Sequence, residues 1–340
     1  MKRRILIHSE NPLKPVYSKL ECELIRYLSG EIIGIIDQSN SGKTVQEVLG
    51  FGGEIPIAST LDEFLTQKPN YILIGASSFK GTFPMEWYPM VIKALQMRIH
   101  ILNGLHQPLS TLAEFDLLAK KYKAKIVDLR DSGAKPTKFK NISGNIQAKK
   151  ILVAGSNAAA GTLSTILELV KIVHKNGISA DWVATGLSST LIKGKGFIAE
   201  SLIADLISGY VENELVELDR KFEYLLVESQ GHFHDAIKAP VFLGILHGTV
   251  PDAMVLCHQV ESANEMDAIQ KEYDNYSYLL NQINGAPIIG LALDTTMLDE
   301  NQAHELIKNA KFKFRVPVFD PLRSDLKEIL FAFKNVEKLK

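Results

Sequence analysis

The chain has few cysteines and no excess of either charge. Two cysteines, Cys22 and Cys257, occur among its 340 residues, too few for a disulfide framework and typical of a reducing compartment. The 38 lysines and arginines nearly balance the 39 aspartates and glutamates, so no overall field would attract nucleic acid or an anionic membrane. Neither nucleic acid nor a membrane is therefore expected as a partner.

Long hydrophobic runs are also missing. The basic start of the chain is followed by the apolar residues 5–7 alone, which are too few for the core of a signal peptide. No other apolar run is long enough to span a bilayer. The length does suffice for two domains that each bury a core. We therefore expect a soluble, cytoplasmic protein, and a homo-oligomer is the ordinary expectation for it.

Glycine is missing from the start of the chain, where no glycine precedes Gly30. The glycine-rich turn that binds nicotinamide dinucleotides after a first strand is therefore absent. Asp37 stands where an acidic residue would hold a ribose, but without that turn we interpret it as a strand-end residue. Nicotinamide binding is accordingly not expected.

A strand, a loop of small residues and a helix are predicted over residues 149–170. An apolar run ends at Gly155, and apolar residues at helical spacing begin at Leu163. Backbone N–H groups of such a loop converge on an anion, and the positive end of the helix dipole adds to the attraction. We therefore predict a phosphate-binding loop with the candidate contacts Gly155, Ser156, Asn157, Ala160, Gly161, Thr162, Ser164 and Thr165.

This loop departs from the Walker pattern at two points. The spacing from Gly155 to Gly161 is one residue too long, and Thr162 occupies the place of the Walker lysine. The missing lysine weakens nucleotide hydrolysis more than phosphate binding, because that charge would travel with a transferring phosphate. Lys193 and Lys195, on another predicted loop, are candidates for contacting phosphate oxygens. An exposed lysine turn, and a glycine-rich turn that binds nothing, are the alternatives.

Short β-branched segments alternate with helical segments along the whole chain, which predicts an α/β fold with mainly parallel sheets. The pattern breaks over residues 130–150, where glycine, proline and lysine replace the apolar periodicity. We therefore predict two three-layer domains, a Rossmann-like domain at residues 1–145 and a domain similar to P-loop NTPases at residues 146–340. Within the second domain, amphipathic helices are predicted at residues 202–211 and at about residues 264–282.

Polar residues follow several predicted strands. Glu228 ends an apolar strand, where its carboxylate could act as a base or ligate magnesium. His232 could carry a proton, and Gln230 and His247 are candidate substrate contacts, although His247 could instead satisfy a Gly/Pro turn. In the first domain, His106 is a candidate substrate contact or else a hydrogen-bonded structural histidine. The histidines have no compact ligand spacing, so the pattern does not predict a zinc site.

The ordered set of these motifs resembles the domain-of-unknown-function 1611 family. The resemblance covers nearly the whole chain, and it rests on residues 155–165, 227–231, 243–248, 251–253 and 257–258, together with Asp37 and residues 42–43, 47–50, 55–57 and 103–106. It implies an N-terminal Rossmann-like domain and a C-terminal P-loop domain similar to dethiobiotin synthetase. At least one branch of that family N-acetylates D-glutamate with acetyl-CoA, so the resemblance implies this activity too.

Two loops differ from the usual sequences of that family. Its phosphate loop usually reads G-T-D-x-x-x-G-K-x-T-T, and here Ser156, Asn157 and Thr162 replace the threonine, aspartate and lysine. Its second loop usually reads E-G-Q-G-S, and here Ser229 and His232 occupy the second and fifth places. The first differences bear on nucleotide turnover, and the second bear on the identity of the substrate.

The leading hypothesis is an acyl-CoA-dependent N-acetyltransferase that acts on a D-amino acid such as D-glutamate. The phosphate loop would hold acetyl-CoA, the amino acid would lie between the domains, and Glu228 or His232 would take a proton from its amine. The first alternative is an ATP-dependent ligase or kinase, with magnesium on Glu228 and with Lys193 or Lys195 replacing the missing lysine. The second alternative is a P-loop protein that binds a small molecule without catalysis.

Overall fold

The computed structural model describes residues 2–14, 18–75, 83–131, 137–157 and 159–336. The chain divides into two units, residues 1–133 and residues 134–340. Each unit contains one six-stranded sheet whose neighbouring strands are all parallel. Helices cover both faces of the sheets, so the predicted α/β class with two three-layer domains is confirmed. Among the described helices, none is long and apolar enough to cross a membrane.

The first unit has the strand order β3-β2-β1-β4-β5-β6, which is that of the Rossmann fold. Its strands are β1 (Ile5–His8), β2 (Ile32–Ile36), β3 (Ile57–Ala58), β4 (Tyr71–Ile74), β5 (His100–Asn103) and β6 (Ile126–Asp128). Its helices are α1 (Lys19–Tyr27), α2 (Val45–Leu49), α3 (Tyr88–Gln96) and α4 (Ala113–Tyr122), with 3-10 helices at Leu61–Gln67 and Met85–Trp87. The strands are apolar on both sides because helices pack against both faces.

The second unit has the strand order β12-β11-β10-β7-β9-β8. Its strands are β7 (Lys149–Gly155), β8 (Ala180–Val183), β9 (Tyr224–Glu228), β10 (Ala253–Gln259), β11 (Ile288–Asp294) and β12 (Val318–Phe319). Its helices are α5 (Thr162–Lys175), α6 (Leu187–Lys193), α7 (Ile207–Leu218), α8 (Ala239–Thr249), α9 (Met266–Ile283), α10 (Glu300–Lys313) and α11 (Lys327–Lys334). Shorter 3-10 helices lie at Ser143–Asn145, Ala199–Ser201 and Ala204–Leu206. Since β7 lies between β10 and β9, the ends of these three strands meet at one edge of the sheet.

Of the two helices predicted for the second unit, one is confirmed and the other is wrong in part. The longer one is confirmed as α9. The prediction for residues 202–211 is wrong in its first half, because the helix begins only at Ile207 and follows two 3-10 helices. The backbone is extended at both Leu202 and Ile203, and the Ile203 side chain is exposed. Apolar residues in an irregular segment had imitated the helical period there.

Residues 137–145, which the sequence placed in the first domain, lie in the second unit. The buried carboxylate of Glu212 on α7 accepts hydrogen bonds from the backbone N–H groups of Lys140 (2.7 Å), Ile142 (2.6 Å) and Ser143 (3.2 Å). The Ser143 hydroxyl also donates to the carbonyl of Gly248 at 2.6 Å. These long-range polar contacts fix an irregular segment whose sequence has no periodicity of its own.

Candidate functional site

The carboxyl edge of the second sheet brings the phosphate loop beside the ends of the neighbouring strands. The central strand β7 ends at Gly155 and continues into the loop, which enters α5 at Thr162. The strands on either side end at Glu228 and Gln259. Open α/β sheets bind ligands at this edge, so the structure places the predicted loop where a ligand site is expected.

The beginning of the loop is fixed by backbone hydrogen bonds. The N–H of Gly155 donates to the Ser229 hydroxyl at 3.3 Å, and the N–H of Ser156 donates to the Cys257 carbonyl at 2.9 Å. The carbonyl of Gly155 accepts a hydrogen bond from the Tyr276 hydroxyl. The first two N–H groups of the loop are thus already used within the protein.

The next two side chains fasten the loop to β10. The Ser156 hydroxyl donates to the Cys257 carbonyl at 3.1 Å and lies 2.7 Å from Nδ1 of His258. Asn157 and Gln259 exchange two hydrogen bonds, from Asn157 Nδ2 to the Gln259 carbonyl at 2.8 Å and from the Gln259 N–H to Asn157 Oδ1 at 3.0 Å. Both predicted phosphate contacts therefore direct their side chains to the adjacent strand.

The end of the loop is better placed to meet an anion. Gly161 has a φ of +79° and is followed by the first turn of α5, whose N–H groups have no acceptor within the helix. Thr162 and Ser164 in this turn are partly exposed, whereas Ala160 is buried. Thr165 is also buried, and its hydroxyl donates to the Gly161 carbonyl at 2.8 Å. Anion binding is therefore expected at the helix terminus.

An acidic residue lies against this part of the loop. A Cβ atom on Gly161 would lie 3.3 Å from Oδ2 of Asp294, the last residue of β11. The other carboxylate oxygen accepts hydrogen bonds from the N–H (3.0 Å) and hydroxyl (2.6 Å) of Thr296. Asp294 thus complements the positive end of the α5 dipole and would compete there with a phosphate.

Glu228 is an enclosed residue at the end of β9. Its side chain is 3% exposed, and the carboxylate accepts hydrogen bonds from the N–H (3.0 Å) and hydroxyl (3.4 Å) of Thr185, with the side chains of Ser189 and Gln230 nearby. Burial raises the pKa of the Glu228 carboxyl, although these donors oppose the shift. The carboxylate therefore joins the end of β9 to the chain segment that follows β8.

Within the described ranges, no group of three or more histidine, cysteine, aspartate or glutamate residues could hold a metal ion. Cys257 is also an unsuitable nucleophile, because burial raises the pKa of its thiol to about 12.

The loop after Glu228 carries His232 and Gln230 in different environments. Gln230 lies over Gly186, where an added Cβ would come within 2.5 Å of its Nε2, and it donates to the Thr185 hydroxyl at 3.3 Å. Gln230 therefore faces the enclosed carboxylate. His232 is partly buried, and its Nδ1 is shielded from solvent with no hydrogen-bond partner in the described chain. This nitrogen is the one candidate base atom of the loop that the protein itself leaves unsatisfied.

Both candidate lysines form ion pairs elsewhere. Lys193 lies 2.8 Å from Asp181, and the strand registers align Asp181 through Leu225 with Lys150. That level is five residues before Gly155 on β7, or roughly 16 Å along the strand. Lys195 pairs with Glu217 (2.6 Å) and Glu214 (3.6 Å) of α7. The structure therefore does not place either ammonium group where the Walker lysine would lie.

The remaining predicted contacts lie on other elements of the two units. His247 lies exposed in the last turn of α8, a helix and not the predicted turn, which returns the chain to the start of β10. Because β10 is parallel to β7, this end of α8 is at the opposite edge of the sheet. His106 is exposed after β5 of the first unit. Asp37 is a strand-end residue whose carboxylate accepts from the N–H groups of Leu13 and Ser39, both at 2.8 Å.

Three residues that contact the loop were not predicted as site residues: Asp294, His258 and Tyr276. The first two end or nearly end apolar strands, so the rule that polar strand ends form the site could have found them. Tyr276 lies in the middle of a polar helix and is completely buried. Helical periodicity alone assigns such a tyrosine to the core, and only the fold brings its hydroxyl to Gly155.

Comparisons with known proteins cover most of the chain. The family model "Domain of unknown function (DUF1611_C) P-loop domain" matches residues 134–330, and the model "DUF1611_N, Rossmann-like domain" matches residues 38–132. A D-glutamate N-acetyltransferase from a Pseudoalteromonas species is 27% identical over 268 residues, 76% of this chain and 79% of that protein. A second D-glutamate N-acetyltransferase, from Tritonibacter scottomollicae, is 24% identical over 287 residues, 82% of this chain and 85% of that protein.

The fold has also been observed in a solved structure. The crystal structure of a DUF1611 family protein from Anabaena variabilis ATCC 29413 superposes with a TM-score of 0.86 and covers 99% of both chains at 24% identity. At this identity the likeness concerns the fold alone.

Proposed function

This chain belongs to the DUF1611 family, and on that premise we propose that it transfers an acetyl group from acetyl-CoA to the amine of a D-amino acid such as D-glutamate. Two relatives that bear the name D-glutamate N-acetyltransferase support the reaction class. The observation that carries the proposal in this chain is the unsatisfied ring nitrogen of His232, which follows β9, the strand paired with the one that leads into the phosphate loop.

Acetyl-CoA would bind through its phosphates at the first turn of α5. The N–H groups of this turn and the helix dipole attract an anion without a lysine. The absence of lysine at Thr162 is compatible with this role, because acetyl transfer moves no phosphoryl group that would need an accompanying cation. The ion pairs of Lys193 and Lys195 count against the alternative of an ATP-dependent ligase or kinase.

His232 is the base in this proposal. The substrate ammonium group must lose a proton before its nitrogen can attack the thioester carbonyl, and the Nδ1 lone pair can accept that proton. The nitrogen bonds to the carbonyl carbon and the carbon–sulfur bond breaks. The protonated His232 gives its proton to the leaving CoA thiolate, and the second proton of the nitrogen is released to water. Glu228 has a structural role in this proposal, since its carboxylate is buried and surrounded by hydrogen-bond donors.

The test is release of free CoA thiol from acetyl-CoA by the purified protein with D-glutamate, L-glutamate and a panel of other amino acids. We expect release that requires a D-amino acid. His232→Gln should lower kcat by about 10²-fold or more, because general base catalysis typically contributes that much. His234→Gln is the matched control, since this exposed histidine two residues away lies 3.4 Å from Glu272 and should retain the wild-type rate.

Two results would contradict the proposal. Absence of thiol release with every amino acid would exclude the transferase, and ATP hydrolysis in the presence of magnesium would then favour the ligase or kinase. Full activity of His232→Gln would exclude His232 as the base, and the same assay on Glu228→Gln would then test the carboxylate.

A further inference from the structure

Tyr276 touches both loops of the candidate site. Its side chain is completely buried on α9, and its hydroxyl donates a hydrogen bond to the carbonyl of Gly155 at the start of the phosphate loop. Burial raises the pKa of this hydroxyl, and the nearby backbone N–H of Phe233, the residue after His232, opposes the shift. One side chain thus contacts the two chain segments that the proposed reaction requires.

The peptide bond between Gly155 and Ser156 is held at both ends. Tyr276 holds its carbonyl oxygen, and the Cys257 carbonyl holds its N–H at 2.9 Å. In a trans peptide these two groups point in opposite directions within one plane. The plane therefore cannot rotate without breaking a buried hydrogen bond, and this fixes the direction in which the rest of the loop leaves the strand.

The second loop rests on the ring of the same tyrosine. Phe233 packs edge-on against Tyr276, with ring centroids 4.9 Å apart, and the two rings share Phe242 as a neighbour. The residue that follows His232 therefore packs against α9.

We propose that Tyr276 is a positioning residue that sets the separation between the phosphate loop and His232. Its role in catalysis rests on the proposed acetyl transfer, whereas the coupling of the two loops is independent of the reaction. The hydroxyl matters here because it fixes the tyrosine to Gly155 while the ring packs against Phe233, so loss of the hydroxyl releases the ring that supports the second loop.

The first test is hydrogen exchange of the protein without substrate, comparing Tyr276→Phe with the wild type. The variant keeps the ring and loses the hydroxyl, so amides of residues 155–157, 159–162 and 229–234 should exchange roughly five- to tenfold faster, as expected for one lost buried hydrogen bond. Tyr273→Phe is the control, because Tyr273 lies on the same helix and packs against Phe314. Unchanged exchange in either loop, or an equal increase throughout the second unit, would overturn the proposal.

The second test is a double-mutant cycle in the thiol-release assay. Tyr276→Phe should lower kcat about tenfold or more, but should change it less than twofold when His232→Gln is already present. Displacement of residue 232 has no further effect on catalysis once the base has been removed. Full additivity of the two losses would refute a positioning role. If the wild type transfers no acetyl group, the proposed function fails, and the exchange experiment still decides whether Tyr276 couples the loops.

Discussion

Burial shifts the pKa of several histidines and carboxyl groups of this protein. Burial lowers the pKa of His258, although the nearby Glu265 carboxylate, 3.6 Å from its Nε2, opposes the shift. Burial raises the pKa of Glu228. His8 at the end of β1 is the clearest case, since burial lowers its pKa to about 4 although Asp37 acts in the opposite direction.

We predict that His8 makes the first unit less stable in mild acid. The native ring stays neutral down to about pH 4, whereas the unfolded chain takes up the proton near pH 6.5. The contribution of the neutral His8 ring to the free energy of unfolding is therefore fully present above pH 6.5. It is lost as the pH falls toward 4, by about 3 kcal/mol at most. The fluorescence of Trp87, whose ring is 4.6 Å from that of His8, reports unfolding in a Trp182→Phe background.

His8→Phe should remove this pH dependence, whereas His106→Phe at an exposed site should leave it unchanged. Equal slopes of stability against pH in the wild type and in His8→Phe would show that His8 is not responsible.

The sequence predicted the position of the loop in the fold, but it did not predict which groups the side chains of the loop contact. The spacing of Gly155 and Gly161 predicted the loop between β7 and α5, because small residues between an apolar run and a helical pattern are typical of such a turn. The same reasoning assigned Ser156 and Asn157 to phosphate, although their side chains bond β10. Partners of polar side chains lie about 100 residues away in sequence, so spacing along the chain could not identify them.

At the scale of elements, α5 is bounded by two glycines in the left-handed region. Gly161 precedes the helix with a φ of +79°, and Gly177 follows it with a φ of +73°. A Cβ at Gly177 would meet nothing within 4 Å, whereas a Cβ at Gly161 would lie 3.3 Å from the Asp294 carboxylate. The two positions share a backbone requirement and differ in their surroundings.

We predict that Gly161→Ala and Gly177→Ala each lower the free energy of unfolding by about 1 kcal/mol, because an alanine is strained at positive φ. Only Gly161→Ala should weaken CoA binding, by about tenfold, since it alone distorts the turn that presents N–H groups to the phosphates. Denaturant unfolding and calorimetric titration with CoA measure the two effects. Equal CoA affinities of the two variants would contradict a phosphate site at the start of α5.

At the scale of elements, the periodic pattern predicted the long helix of the second unit, whereas elements formed by tertiary contact were not predicted. The long helix α9 follows from its own amphipathic pattern. Short strands such as β3 and β12 have only two residues each and carry no periodic signal, so only pairing with a neighbour defines them. The start of α7 was missed because Leu202 and Leu206 pack on the core from irregular backbone.

At the scale of the whole molecule, the hydrogen bonds of Glu212 hold the first residues of the second unit. Its carboxylate receives the backbone N–H groups of Lys140, Ile142 and Ser143, which join residues 137–145 to α7. The change in composition over residues 130–150 located the boundary region. It could not show which unit holds the segment, since that depends on one acid whose partners are about 70 residues away in sequence.

We predict that Glu212→Gln loosens this segment and destabilises the second unit by about 1.5–3 kcal/mol, the range for hydrogen bonds to a charged group. Trypsin should then cleave the full-length chain faster after Lys138 and Lys140. Glu217→Gln is the control, because Glu217 lies on the same helix with a half-exposed side chain paired to Lys195. Unchanged cleavage in Glu212→Gln would mean that other contacts hold the segment.

The hydrogen bonds of Gly155, Ser156 and Asn157 have a consequence for the thermodynamics of binding. Their partners are Ser229, the backbone of β10 and Tyr276, all of which belong to the protein itself. The conformational entropy of this half of the loop is therefore lost when the chain folds and not when a ligand arrives. Preorganisation of this kind predicts a small entropic penalty of association and little change in loop structure between the free and the bound protein.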